Sequence, residues 1–484
     1  MGSATTRCDE RMDAIDRPSN AGTLRTPFDA QRRAFEVDRD PSLATRLDRL
    51  ARVGAMTDEI AIDMAAAISA DFGHRSTHVT ELADVMVVRH AIDHARRRLP
   101  RWMKARRVAT PLTLQPARSS VRPQPLGVVG VVSPWNYPYQ LSMAPAISAL
   151  AAGNRVMIKP SEATPRFAAL LRHEVARRFA PDELVVVPGD SDLARAFVAL
   201  PFDHLLFTGS TAVGREVAIA AARNLTPVTL ELGGKSPAIL AADCDLDEAV
   251  PRLMAGKLFN AGQTCIAPDY LLVHESLLDR LPDAMRRATR SLYPTIAGPD
   301  YCSIAGPRHL ARLLRLLDDA RARGATVVAL HAERETRDGR LPPFAIFDVD
   351  ERMAVMREEV FGPLLPVVTY RHVDEAIDHV NAHERPLALY WFGRDTVERD
   401  AVLARTLSGG VTVNDCLFHV AQEALPFGGV GASGHGRYHG EYGFRTFSHD
   451  KPVFVQSRWS GTGMMSPPYG RTFDRLARWM RWLA

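Results

Sequence analysis

Between residues 27 and 105, apolar side chains recur at intervals of three and four, as in Leu43, Leu47 and Leu50 and then Ile60, Met64 and Ile68, with charged residues between them. This is the spacing of amphipathic helices, and it predicts a helical N-terminal region. The pattern then changes. Short β-branched runs occupy 128–132, 155–158, 184–187, 204–207 and 227–230, with helical spacing between most of them. Strands alternating with helices predict a parallel sheet with crossover helices, the architecture of nucleotide-binding domains. A second series follows Glu231, with strand-like runs at 270–273, 326–329, 364–368 and 410–413 and helices such as 307–323. Two α/β lobes account for both series. Segments 107–124 and 446–457 fit neither lobe and are expected to form strands that pair with another subunit.

Two stretches depart from this alternation. Residues 123–154 carry no charge over more than the length of a bilayer span, but Pro134, Pro138 and Pro145 interrupt them and Trp135, Asn136 and Tyr137 put polar groups in the middle. They read as strand, loop and buried helix, not as a membrane helix. Residues 471–484 place Phe473, Leu476, Ala477, Met480 and Leu483 on one helical face, with Arg475, Arg478 and Arg481 elsewhere. A short amphipathic helix is expected there, docked on its own protein in the first reading and touching a membrane surface in the second.

Composition narrows the class without naming an activity. A chain of 484 residues accommodates two or three domains of about 150 residues each. Charged residues at 24% and apolar residues at 46% exclude a disordered, fibrous or membrane-embedded protein. The net charge is only +4 and the basic residues are scattered, so no nucleic-acid partner is expected. Cys8, Cys244, Cys265, Cys302 and Cys416 are isolated, with no spacing typical of zinc ligands. No metal is therefore expected, and a reducing, cytoplasmic setting fits. The N-terminus lacks the apolar core of a secretory signal.

Four segments carry candidate chemistry, each with a purely structural reading beside it. Residues 207–214, which include Gly209, Ser210 and Gly214, follow a strand and open a helix, where backbone N–H groups can meet a diphosphate; a plain structural turn reads the same way. Residues 156–162 end a strand with Lys159, Ser161 and Glu162, placing a cation and a carboxylate where a ribose or phosphate could meet them. An acid at Glu162 favours NAD and disfavours the extra phosphate of NADP. Cys265 has no acid nearby in sequence until Asp269, so its thiolate would meet little negative charge, whereas Asp243 and Asp245 flank Cys244 and oppose its ionisation. Cys265 is thus the best nucleophile among the five, although a free cysteine is more often an inert buried residue. Glu231 ends an apolar strand just before Gly233 and Gly234, and partial desolvation would raise its pKa toward that of a general base.

Taken together, segments 133–138, 159–162, 207–214, 231–237, 262–265 and 358–363, with Asn414, resemble the aldehyde dehydrogenase superfamily in order and spacing from about residue 28 to 454. The resemblance implies an aldehyde dehydrogenase-like α/β fold. It makes 1–106 and 125–231 the cofactor-binding domain, 232–430 the catalytic domain, 107–124 and 446–457 oligomerisation strands, and 471–484 a C-terminal helix. It implies that Cys265 attacks the aldehyde, that Asn136 and the Cys265 N–H hold the oxyanion, and that Glu231 activates the water that opens the thioester. Trp135, Lys159, Ser161, Glu162, Gly209, Ser210 and Gly214 would hold the adenosine and diphosphate of NAD, with NADP possible. Glu359 and Phe361 would position the nicotinamide ribose, and Tyr137 and Asn414 would line the substrate pocket. Segments 225–230, 386–390 and 426–434 resemble the class 3 branch, which implies a homodimer. Segments 71–76, 102–104, 418–423, 438–440 and 447–449 resemble the bacterial coniferyl aldehyde dehydrogenases. Aromatic unsaturated aldehydes are the implied substrates, medium-chain aliphatic aldehydes the alternative; a catalytically idle NAD-binding relative is the rival from another class.

Overall fold

Why the N-terminal helices form is visible at their ends. In the computed structural model, which describes residues 20–333 and 338–483, Leu43–Phe72 begins where Ser42 Oγ accepts the Thr45 N–H at 3.1 Å and ends at Gly73, whose φ of +86° suits glycine. Leu50, Ile60, Met64 and Ile68 are buried along one side, as the spacing requires. That side packs on helices Val87–Trp102, Pro138–Ala152 and Pro165–Arg178. Cys8 lies outside the described residues.

The strands sort into three sheets. β1 (Arg106–Val108) and β2 (Arg118–Pro125) precede β3 (Val128–Val132), β4 (Arg155–Lys159), β5 (Leu184–Val186), β6 (His204–Thr208) and β7 (Val228–Glu231). There follow β8 (Pro237–Leu240), β9 (Tyr270–His274), β10 (Thr326–Ala329), β11 (Phe344–Phe347), β12 (Leu364–Tyr370), β13 (Ala388–Phe392) and β14 (Gly410–Val413), then β15 (Gly434–His435) and β16 (Ser448–Val455). One sheet has the order β15-β7-β6-β3-β4-β5 and another β10-β11-β12-β9-β8-β13-β14. Both are parallel except at one edge, where β15 runs against β7 and β10 against β11. The fold is the expected one of two α/β lobes, with the refinement that each sheet is mixed.

Every strand expected from the sequence for the two lobes is present, to within a residue or two at its ends. Four strands carried no sequence signal. β8 opens on Pro237–Ala238 and β13 on Ala388, residues of low strand propensity, and neither contains a β-branched run. β11 is a four-residue apolar run and β15 only two residues long. β15 nevertheless matters: it brings the chain back from the second lobe and pairs Gly434 with Glu231. A Cβ on Gly434 would lie 1.9 Å from the Leu230 carbonyl oxygen, so only glycine allows that approach.

The uncharged stretch behaves as expected: the end of β2, β3, a loop, and a helix, Pro138–Ala152, whose residues are all buried. The segments outside the lobes form an antiparallel sheet in the order β1-β2-β16, with Ser448 opposite Pro125 and Val455 opposite Arg118. The 107–124 segment is two strands, β1 and β2, joined by a turn at Leu112–Leu114. Helix Arg471–Leu483 packs on the turn Gly461–Met465, with Phe473, Leu476, Ala477 and Met480 half-buried and the Phe473 ring 4.8 Å from that of Tyr469. Among the described residues no helix is long and apolar enough to cross a membrane.

Candidate active site

The carboxyl ends of β3, β6 and β7 in the first sheet, and the segments that lead into β8, β9, β12 and β13 of the second, line one cleft of about 840 Å³. In open α/β sheets, ligands bind at such strand ends. The walls include Trp135, Asn136, Gly209, Ser210, Glu231, Cys265, Glu359 and Phe361, brought together from distant stretches of sequence. Tyr137, Lys159, Ser161, Glu162, Gly214 and Asn414 stand outside its walls.

Cys265 ends a tight turn that begins at Phe259–Gly262. Asn260 and Ala261 adopt φ of +51° and +52°, and Gly262 +77°. A Cβ on Gly262 would lie 2.3 Å from the Gly362 carbonyl oxygen, so the turn presses directly on the 358–363 segment. Side-chain amides lock it. Asn136 Nδ2 donates to the Gln263 carbonyl at 3.1 Å, Asn260 Nδ2 donates to the Asn136 carbonyl at 3.2 Å, and Gln263 Nε2 donates to the Asn260 and Ser303 carbonyls, each at 3.0 Å. Tyr137 Oη meets Thr264 Oγ1 beside the cysteine. The Asn136–Tyr137 loop is held in turn from below. Arg75 lies between the rings of Phe72 and Tyr137 and pairs with Asp84 at 2.9 Å with both side chains fully buried. Asp84 Oδ1 accepts the N–H groups of Tyr139 and Gln140, where helix Pro138–Ala152 starts.

The electrostatics of the cysteine differ from the sequence expectation. Its linear neighbours are uncharged, but the fold brings Glu359 and Glu231 to it; burial first, then these two charges, push its thiol up to about 12. The N–H groups of Cys265 and Ile266 oppose the rise. Cys244 is also raised to about 12, by burial and then by Asp243 and Asp245. Local charge does not separate the two thiols; their location in the fold does.

Glu231 ends β7, 2% exposed, with neither carboxylate oxygen hydrogen-bonded. Burial alone raises its pKa well above the ordinary carboxylate range. Glu359 is pushed up to about 8 by burial and then by Asp269, with the Gly234 N–H, Arg312 and Lys235 opposing. Its carboxylate occupies the space beside Gly233, where a Cβ would lie 2.1 Å from Oε2. Lys235 is bound to Asp269 and donates to the Val355 and Glu358 carbonyls at 2.8 and 3.2 Å, which ties the turn after β7 to the segment carrying Glu359.

The residues expected to hold a dinucleotide are divided between the cleft wall and its surroundings. Ser210 caps helix Thr211–Ala222, and Thr211 and Ala212 of its first turn line the cleft, which leaves a helix N-terminus able to face a diphosphate. A Cβ on Gly209 would meet the Phe207 ring at 2.6 Å, and one on Gly214 the Leu232 side chain at 2.6 Å, so glycine lets strand and helix close up here. Lys159 is buried at the end of β4 with Nζ 3.1 Å from Glu162 Oε2. Ser161 Oγ accepts the Ala163 N–H at 3.2 Å. Trp135 lies against the rings of His309 at 4.6 Å and Phe361 at 5.5 Å. Asn414 is exposed in the turn after β14, where its Oδ1 accepts the Gly393 N–H at 3.0 Å, so its side chain braces a turn beyond the cleft.

Sequence reasoning did not single out His309, Arg312, Glu351, His383 or Arg385, which also line the cleft. Arg312 donates to the Glu359 carbonyl at 2.9 Å. Such residues look like the solvated face of a helix or loop until the second lobe turns them inward. Tyr438 carries no chemical signal in the linear pattern, yet its buried Oη has no partner and it shares the electrostatic environment of Glu231 and Cys265.

The chain is similar to known proteins over most of its length. Residues 19–453 match the model of the aldehyde dehydrogenase family. A probable coniferyl aldehyde dehydrogenase of Pseudomonas aeruginosa is 48% identical over 454 residues, covering 94% of this chain and 95% of that protein. A coniferyl aldehyde dehydrogenase of a Pseudomonas species is 46% identical over 465 residues, covering 95% and 96%. The substrate-bound AldH of Staphylococcus aureus superposes with a TM-score of 0.89 at 36% identity, over 94% of this chain and 99% of that one. An NAD-dependent aldehyde dehydrogenase of Sinorhizobium meliloti gives a TM-score of 0.81 at 28% identity over 91% and 88%, and an NADP-dependent enzyme of Escherichia coli 0.81 at 28% over 90% and 91%. On its sequence, its fold and the cleft between its two sheets, the chain belongs to the aldehyde dehydrogenase family.

Proposed function

We propose that the chain oxidises coniferyl aldehyde and related aromatic aldehydes to carboxylic acids, through a thiohemiacetal and a thioester on Cys265, with NAD as the preferred cofactor. The observation that carries the reading is the meeting of Cys265, Asn136 and a buried, unpartnered Glu231 in one cleft. The Cys265 thiol releases its proton to water, the sulfur bonds to the carbonyl carbon, and the developing oxyanion is held by Asn136 Nδ2 and the Cys265 N–H. Asn136 Nδ2 gives one hydrogen to the Gln263 carbonyl and has a second for the oxyanion. NAD, held by the residues assigned below, would supply the acceptor for the hydride that the adduct loses in becoming a thioester. Glu231 then takes a proton from water, whose oxygen attacks the thioester, and the Cys265 sulfur leaves. Its raised pKa makes it a stronger proton acceptor than an ordinary carboxylate.

Lys159, Ser161, Glu162, Gly209, Ser210, Gly214 and Trp135 are assigned to the adenosine and diphosphate, Glu359 and Phe361 to the nicotinamide ribose, and Tyr137 to the wall behind the nucleophile. Glu162 beside Lys159 supports NAD over NADP, since a 2′-phosphate would meet a carboxylate. The names of the Pseudomonas relatives support the aromatic substrate. We also assign 1–106 with 125–231 to the cofactor domain, 232–430 to the catalytic domain, and the sheet of β1, β2 and β16 to a homodimer contact. Exposed Val108, Leu112, Leu114, Phe454 and Val455 on and beside that sheet support the last. Light scattering should then give a dimer at micromolar concentration.

The decisive measurement is steady-state NADH formation from coniferyl aldehyde, benzaldehyde, hexanal and decanal, with NAD and NADP, beside a Cys265→Ala control. Preference for coniferyl aldehyde, lost in the control, supports the reading. Preference for hexanal or decanal overturns the substrate, and an active control overturns the mechanism.

A further inference from the structure

We propose that Glu351, His379 and His383 form a binding site for one divalent transition-metal ion of the zinc class at the rim of the cleft, separate from the reaction centre. His379 and His383 stand four residues apart at the end of helix Val373–Ala382, a spacing that puts two imidazoles on one side. Glu351 arrives from the turn before helix Ala354–Arg357. The ligand atoms of all three lie within 4.8 Å of one another, and among the described residues no other group of three His, Cys, Asp or Glu side chains comes together in this way.

Hydrogen bonding argues for an ion here. The His379 carbonyl can only accept, so its 2.7 Å contact with His383 Nδ1 requires the hydrogen on Nδ1. In the neutral ring His383 Nε2 then carries a lone pair, yet it lies 3.0 Å from Glu351 Oε2, itself an acceptor when ionised. Buried His379 Nε2 has no hydrogen-bond partner. A proton on His383 satisfies the first two atoms and leaves the third. A metal ion satisfies all three. The Nδ1–H to carbonyl bond is also the orienting contact that metal-bound histidines use.

The geometry is within reach of small side-chain rotations, because ligands at about 2.1 Å from a tetrahedral ion are roughly 3.4 Å apart. Two imidazoles and one carboxylate suit zinc or cobalt better than calcium or magnesium. Glu351 and His383 line the cleft, so the fourth position opens to water there. The Tyr270 ring packs against both imidazoles, at 5.4 and 6.3 Å, and holds their planes. The nearby cation Lys235 is neutralised by Asp269. An ion at this point would tie helix Val373–Ala382 to the segment that continues into Glu359 and Phe361.

The test is a cobalt(II) titration of the full chain, free of any added histidine tag, followed by visible absorption. The expected result is one equivalent of cobalt per chain, with ligand-field bands but no strong sulfur-to-cobalt band, displaced by zinc. His379→Ala and His383→Gln should each weaken binding by more than about tenfold. Circular dichroism without metal confirms that the variants fold; if His379→Ala does not, the partly exposed His383→Gln carries the test. Absent cobalt bands, bands that survive these substitutions, or a sulfur-to-cobalt band lost in Cys265→Ala would each overturn the proposal.

Discussion

Replacing Glu231 by Gln removes a proton acceptor and a buried charge together, and the two losses have opposite consequences. The carboxylate is 2% exposed with both oxygens unpaired, so both are free to accept a proton. Loss of a positioned general base lowers the rate of the step it serves by about 10²–10⁴, or roughly 3–5 kcal/mol of barrier. If that step is opening of the thioester, rapid mixing with aldehyde and cofactor should give a burst of NADH equal to the active sites, then slow turnover. Stability should move the other way. The folded pKa of Glu231 is raised above its ordinary 4.5, so the folded chain holds this proton more tightly than the unfolded one. Stability from this group is complete below pH 4.5 and is lost as pH rises through the folded pKa, by about 1.4 kcal/mol for each pH unit that separates the folded from the unfolded value. Glu231→Gln should therefore raise Tm relative to the parent at pH 8.5, and do so less at pH 5. Unchanged steady turnover without a burst would refute the assigned role, and a Tm difference independent of pH would refute the electrostatic reasoning.

Other expectations follow from the same contacts. Because its thiol is raised to about 12, Cys265 in the free protein should react with iodoacetamide slowly at pH 7 and about tenfold faster per pH unit up to pH 9; a plateau near pH 7 would contradict this. Gly262→Ala combines a φ of +77° with a Cβ 2.3 Å from a carbonyl oxygen, and should cost at least about 1–3 kcal/mol in denaturant unfolding while displacing Cys265 and depressing kcat. Arg75→Leu leaves Asp84 buried without its partner and should cost about 3–5 kcal/mol, partly restored in the Arg75→Leu, Asp84→Asn double variant. Glu162→Gln should raise the ratio of kcat/KM with NADP to that with NAD, since it removes the charge that would face a 2′-phosphate.

The alternation of strands and helices is legible in the chain alone, because burial with period 2 or 3.6 is written locally. β3, β10 and β14 coincide with their apolar runs, and the buried side of Leu43–Phe72 follows its leucine and isoleucine spacing. The motifs also marked Gly262, where a φ of +77° and a Cβ position 2.3 Å from the Gly362 carbonyl oxygen leave room for glycine alone. What lay beyond the linear pattern is nonlocal. β8 and β13, which open on Pro237 and Ala388, contain no β-branched run to mark them as strands. The acids that surround Cys265 arrive from β7 and from the 358–363 segment, so the charge around the thiol could not be judged from its neighbours in sequence. Arg312 and Glu351 carry no local mark of function and acquire one only when the second sheet faces the first. Asn414, conspicuous in the linear pattern, turns out to brace a neighbouring turn. Local patterns specify which backbone forms and which side is dry; only the packing of one sheet against another fixes which charges meet, and so where each proton sits.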